Sequence, residues 1–110
     1  MSDPGSWGST YDAITMFVED VEASKEFYRR AFRAEPIFEG DDSVVFRIGG
    51  IIVNLLHEAS VPELIDPAPM ALAGSGARAV YTLSVEDVDA IAEELADSGV
   101  ELLNGPVNRP

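Results

Sequence analysis

Residues Val18 to Ala23 read VEDVEA, and the phrase returns as VEDVDA from Val85 to Ala90. Each copy follows a run of β-branched and aromatic residues: DAITMFV over 12–18 and AVYTLSV over 79–85, with Thr15 and Thr82 in register. Such runs favour strands. Behind each copy the apolar spacing lengthens from two to about 3.6, the helical period. Val21, Ser24, Phe27, Tyr28, Ala31 and Phe32 form one apolar stripe, with Lys25, Glu26, Arg29 and Arg30 mostly elsewhere on the wheel. Val88, Ile91, Ala92 and Leu95 form the matching stripe of the second copy. Asp20 and Asp87 therefore stand where a strand stops and a helix starts. A carboxylate there accepts hydrogen bonds from the first unbonded amides, and Glu22 and Asp89 suit the positive end of the helix dipole. The repeated phrase reads as two helix N-caps rather than as catalytic acids.

Working outward, each helix is followed by more strand. After the first come EPIFE over 35–39, a turn at Gly40, Asp41 and Asp42, and two apolar runs over 44–48 and 51–56. Gly49 and Gly50 between those runs predict a tight hairpin, because primed turns need positive φ. After the second helix, Gly99 and VELL over 100–103 begin the same way. The first unit is βαβββ and the second βαβ, an α+β chain of paired modules. The expected organisation is a flexible leader over 1–10 and a single domain over 11–110. Within the domain, module one spans 11–57, a linker 58–77 carries a short helical turn near 62–65, and module two spans 78–110.

The 110 residues are 46% hydrophobic, enough for one domain with a core. Twenty acidic against seven basic side chains give a formal charge of -13. That field repels phosphate backbones and anionic lipid, so neither nucleic acid nor a membrane surface is an expected partner. Without cysteine there is no disulfide, thiolate metal ligand or thiol nucleophile. The opening MSDPGSWGST has neither a basic nor an apolar segment of the secretory kind, and a cytoplasmic location is the expectation.

The stretch FVEDVEASKEFYRRAF, with Val18, Asp20, Ser24, Phe27 and Tyr28 on the pattern V-x-D-x-x-x-S-x-x-F-Y, resembles the vicinal oxygen chelate superfamily. That is the group of glyoxalase I, the bleomycin and fosfomycin resistance proteins and the extradiol dioxygenases. The resemblance runs from about residue 11 to 108. It implies paired βαβββ modules in a curved mixed sheet around a cleft, with helices outside. The second module looks incomplete, since NGPVNRP resembles the point where family members continue into their last strands. In the family's metal enzymes a first histidine ligand lies seven residues before the capping aspartate, where this chain has Ala13. The ligand opening the second unit corresponds to Val80, and the glutamate of the fourth strand to Asn54 in the phrase NLLH. Alanine and valine have no donor atom and an amide oxygen is a poor ligand for a transition metal, so no metal and no cofactor are expected.

Strand alternation gives the expected cleft lining. Ile14, Met16 and Val18 pack under the helices, leaving Ala13, Thr15 and Phe17 opposite. Tyr81, Leu83 and Val85 pack in the second unit, leaving Val80, Thr82 and Ser84. The candidate ligand-binding residues are Thr15, Phe17, Ile52, Asn54, Leu56, Thr82 and Ser84, an apolar surface with a few uncharged polar groups. The alternative is that they only fill the interior of the sheet. His57, the sole histidine, reads as a surface or loop-anchoring residue, and no residue nominates itself as a catalytic base.

Two functions fit. One is a metal-free module that binds a small, partly apolar or cationic molecule, as the antibiotic-sequestering members do. The other is a lyase, isomerase or dioxygenase of the same superfamily, metal-dependent through ligands not identified or working without metal. A homodimer is expected, because a sheet edge left unpaired by the short second unit needs cover.

Overall fold

The computed structural model describes residues 12–72, 74–76 and 79–103. It contains β1 (Ala13–Val18), α1 (Val21–Phe32), β2 (Phe38–Glu39), β3 (Ser43–Ile48), β4 (Ile51–His57), a 3-10 turn (Glu58–Ser60), α2 (Pro62–Ile65) and α3 (Val88–Asp97). The strands form one mixed sheet in the order β1-β4-β3-β2, with β1 parallel to β4 and the other pairs antiparallel. The architecture is α+β, and the first unit is the expected βαβββ. The leader, residues 1–10, and Tyr11 lie outside the described residues, as do residues 104–110.

Local chemistry fixes the first unit. Ile48 faces Ile51 across the β3–β4 hairpin, and Gly49 at φ 60 supplies the positive φ that the two-residue connection needs. Asp20 is extended at φ -129, ψ 102, and its Oδ1 accepts the Ala23 N–H at 3.0 Å. Arg29 and Arg30 in the last turn of α1 complement the negative end of its dipole. The helix ends on Arg33 at φ 52, ψ 37, in the left-handed region where a side chain carries strain.

Between those ends α1 lies across one face of the sheet. Val44 and Phe46 of β3 with Val53 and Leu55 of β4 form the buried cluster, and Met16, Val18, Val21 and Tyr28 pack against it. Phe46 and Leu55 are fully buried. The Tyr28 ring stacks on Phe46 with centroids 5.6 Å apart and leans on Phe32 at 5.3 Å. Phe27, expected in the apolar stripe, stays 44% exposed at its rim and touches Tyr28 edge-on. Burying Phe46 and Leu55 contributes about 1.5–3 kcal/mol each. The exposed ion pairs around α1, such as Arg29 with Glu26 and Glu35, add little.

The second unit departs from its expectation. Its helix forms as α3, capped by Asp87, whose Oδ1 accepts the Ala90 N–H at 3.0 Å. The flanking runs 79–85 and 100–103 are not strands. A strand exists only by its ladder, and no described strand pairs with either run. Val80 is 87% exposed and Leu103 93%. Ile91, Ala92 and Leu95 are half-buried while Val88 faces outward. The Arg33 guanidinium meets Glu94 at 2.8 Å, tying the end of α1 to α3.

Candidate functional site

The sheet has two faces, and α1 covers the one carrying Met16, Phe46, Val53 and Leu55. On the other, strand register sets Ala13 beside Ile52, Thr15 beside Asn54 and Phe17 beside Leu56. Five of the seven expected lining residues therefore share one face: Thr15, Phe17, Ile52, Asn54 and Leu56. Thr15 and Phe17 also line a hollow of about 460 Å³ along the outer side of β1, completed by Met16, Ala71, Gly76, Ala79 and Tyr81.

Asn54 sits between Thr15 on β1 and Val45 on β3. Its Oδ1 is shut off from solvent and has no hydrogen-bond partner among the described residues. A buried acceptor without a donor costs about 1–3 kcal/mol. Such an atom is satisfied by a ligand donor, or by an ordered water, which needs several polar partners of its own.

Thr82 and Ser84 are placed elsewhere. They line a second hollow, of about 380 Å³, together with Ile14, Met16 and Val53, on the α1 side of the sheet. They do not line the hollow beside Thr15, and the difference from simple alternation has a physical reason. Alternation holds only in a pleated strand, and without one the consecutive residues Tyr81, Thr82, Leu83 and Ser84 all border the same space. Tyr81 and Leu83, expected in the core, remain about half exposed.

His57 behaves as a loop anchor. Its Nδ1 accepts the Ala59 N–H at 3.1 Å and caps the 3-10 turn. Ser60 Oγ donates to Asp42 Oδ2 at 2.7 Å, holding that turn against the loop before β3. A contact between α1 and β1 lies outside the expected site: the Tyr28 hydroxyl donates to Met16 Sδ at 3.0 Å. Burial pushes the Tyr28 phenol above its ordinary value, so it stays protonated at neutral pH. Both residues read as core, and only the helix stripe brought together with the β1 pattern points to their meeting.

The three positions to which the resemblance carries the family's metal ligands can be compared one by one. Ala13 and Val80 offer no donor atom, and Asn54 offers an amide oxygen. Among the described residues no group of three or more His, Cys, Asp or Glu side chains is placed to hold a metal ion. Transition metals take three or four such ligands.

Comparison with known proteins agrees with this architecture. Residues 10–110 match the sequence model of the Glyoxalase/Bleomycin resistance protein/Dioxygenase superfamily. The metallothiol transferase FosB of Staphylococcus epidermidis is 29% identical over 92 residues, 84% of this chain. The match spans only 62% of that relative's length. A glyoxalase/bleomycin resistance protein/dioxygenase from Nocardioides superposes over 100% of this chain and 72% of its own, with a TM-score of 0.80 and 22% identity. The fosfomycin resistance protein FosX of Listeria monocytogenes superposes over 92% of this chain and 74% of its own, with a TM-score of 0.57 and 22% identity. At those identities the two structures speak to the fold. The repeated strand-to-helix phrase, the βαβββ sheet and the match over nearly the whole sequence lead to one conclusion: the chain belongs to the Glyoxalase/Bleomycin resistance protein/Dioxygenase superfamily.

Proposed function

We propose that the chain holds a small, partly apolar molecule against the sheet face around Thr15, Phe17 and Asn54, without a metal ion. The observation that carries this reading is the buried Oδ1 of Asn54, an acceptor with no donor among the described residues. A molecule lying against Thr15, the β1 neighbour of Asn54, with an N–H or O–H reaching that oxygen as the Thr15 side chain gives way would replace the missing bond, and Phe17 would supply apolar contact. The charge of -13 favours a donor that is also cationic. The reading includes a homodimer, because β1 is an edge strand with an apolar, proline-free sequence.

A second reading, an enzyme of the same superfamily, is favoured by the similarity to FosB, a metallothiol transferase. Metal analysis of protein purified without chelator separates the two. The proposal expects no stoichiometric divalent metal, and a full equivalent of one would favour the enzyme. Thermal melts of two variants complete the test. Asn54→Leu removes the unpaired acceptor at similar volume and should raise stability by about 1 kcal/mol. Asn54→Glu should lower it by a few kcal/mol, with or without added divalent metal, since one carboxylate cannot build a site. Wild-type protein strongly stabilised by a metal at low micromolar concentration, or an Asn54→Leu variant less stable than wild type, would overturn the proposal.

A further inference from the structure

The hollow on the α1 side of the sheet borders the one beside Thr15 through Met16 and Tyr81, which line both, but the rest of its lining is its own. Ile14, Met16 and Val53 form its floor, Tyr28 and Phe32 one wall, and the segment from Tyr81 to Ser84 the other. The glycines of the β3–β4 hairpin border it without side chains. We propose that this hollow binds one small, uncharged, predominantly apolar molecule, aromatic by preference, at a position distinct from Asn54.

Three observations carry the assignment. First, no ionisable carboxylate, guanidinium, ammonium or imidazole lines the space, in a chain that carries 20 acidic and seven basic side chains. A charged ligand entering it would lose its hydration with no partner in return, which selects a neutral one. Second, the walls suit an aromatic ring. Tyr28 and Phe32 hold their centroids 5.3 Å apart, and the Met16 sulfur, polarisable and fixed by the Tyr28 hydroxyl, lies on the floor. Third, Thr82 and Ser84 are exposed residues on the border, so a molecule with one hydroxyl or amide can keep that group bonded while its apolar body sits inside. The volume of about 380 Å³ falls in the range of small-molecule sites.

The test uses the full chain and N-phenyl-1-naphthylamine, a neutral dye at pH 7 whose emission rises in apolar surroundings. The expected result is saturable binding of one dye per chain. Leu83→Asp and, separately, Ser84→Asp should each weaken binding at least about tenfold by placing a charge at the wall. Both residues are exposed and outside any helix or strand, so both variants keep the fold. Ala79→Asp brings the same charge to the hollow beside Thr15 and should leave dye binding unchanged. Four results would overturn the assignment: no saturable binding, affinity unaltered by Leu83→Asp and Ser84→Asp, a loss caused by Ala79→Asp, or one dye per two chains. The last would mean that a seam between two copies holds the dye.

Discussion

The two copies of the capping phrase make the same local structure and different tertiary structure. Asp20 and Asp87 adopt nearly equal backbone angles, φ -129 and -137 with ψ 102 in both, and each carboxylate accepts the amide three residues on at 3.0 Å. Yet α1 rests on a sheet through Val21 and Tyr28, whereas α3 is joined to α1 by the exposed Arg33–Glu94 pair and leaves Val88 facing outward. The endings differ in the opposite sense. The first helix stops on a strained Arg33, while the second stops into Gly99 at φ 85, which costs nothing sterically. A cap needs three residues; a core needs partners from distant parts of the chain. The first unit has those partners in β3 and β4, and its helix endures a poor ending because packing stabilises it.

The contrast breaks most sharply in the cores of the two units. Phe46→Ala should lower the unfolding free energy by about 3–5 kcal/mol, because the ring is wholly buried under Tyr28. Val80→Ala, at a position 87% exposed, should change it by less than about 0.5 kcal/mol. Urea melts of both would expose an error at once: a costly Val80→Ala means that the second unit is packed after all. The caps come next. Asp20→Ala should cost about 1 kcal/mol of global stability, while Asp87→Ala should remove helical circular dichroism at low urea and leave the main transition in place. The endings give the smallest effect. Arg33→Gly should gain about 0.5–1 kcal/mol by relieving the left-handed residue, even with the exposed pair to Glu94 lost. Gly99→Ala should weaken α3 alone. Equal losses of global stability from the two Asp→Ala variants would erase the distinction between the copies.

The same division governed how far the sequence could be read. The helices, their caps, the Gly49–Gly50 hairpin and the short turn at Pro62–Ile65 were legible because each depends on residues a few positions apart. The face shared by Thr15, Phe17, Ile52, Asn54 and Leu56 was legible too, since it needs only two strands and the rule of alternation. The placement of Thr82 and Ser84 was not. AVYTLSV has the composition of a strand, but composition supplies no partner edge, and without a ladder the residues take positions that alternation does not foresee. The unpaired Oδ1 of Asn54 was equally invisible: an asparagine among apolar neighbours does not reveal whether a donor reaches it.

Amide hydrogen exchange on α1 and α3 tests the central contrast most directly, because the helices share a cap and differ in what they rest on. The amides at the centre of α1 should exchange as slowly as those of β3 and β4, through global unfolding. Those at the centre of α3 should exchange at least about tenfold faster, through local opening. Equal protection of the two helices would contradict the account and place the second copy of the phrase on a packed surface like the first.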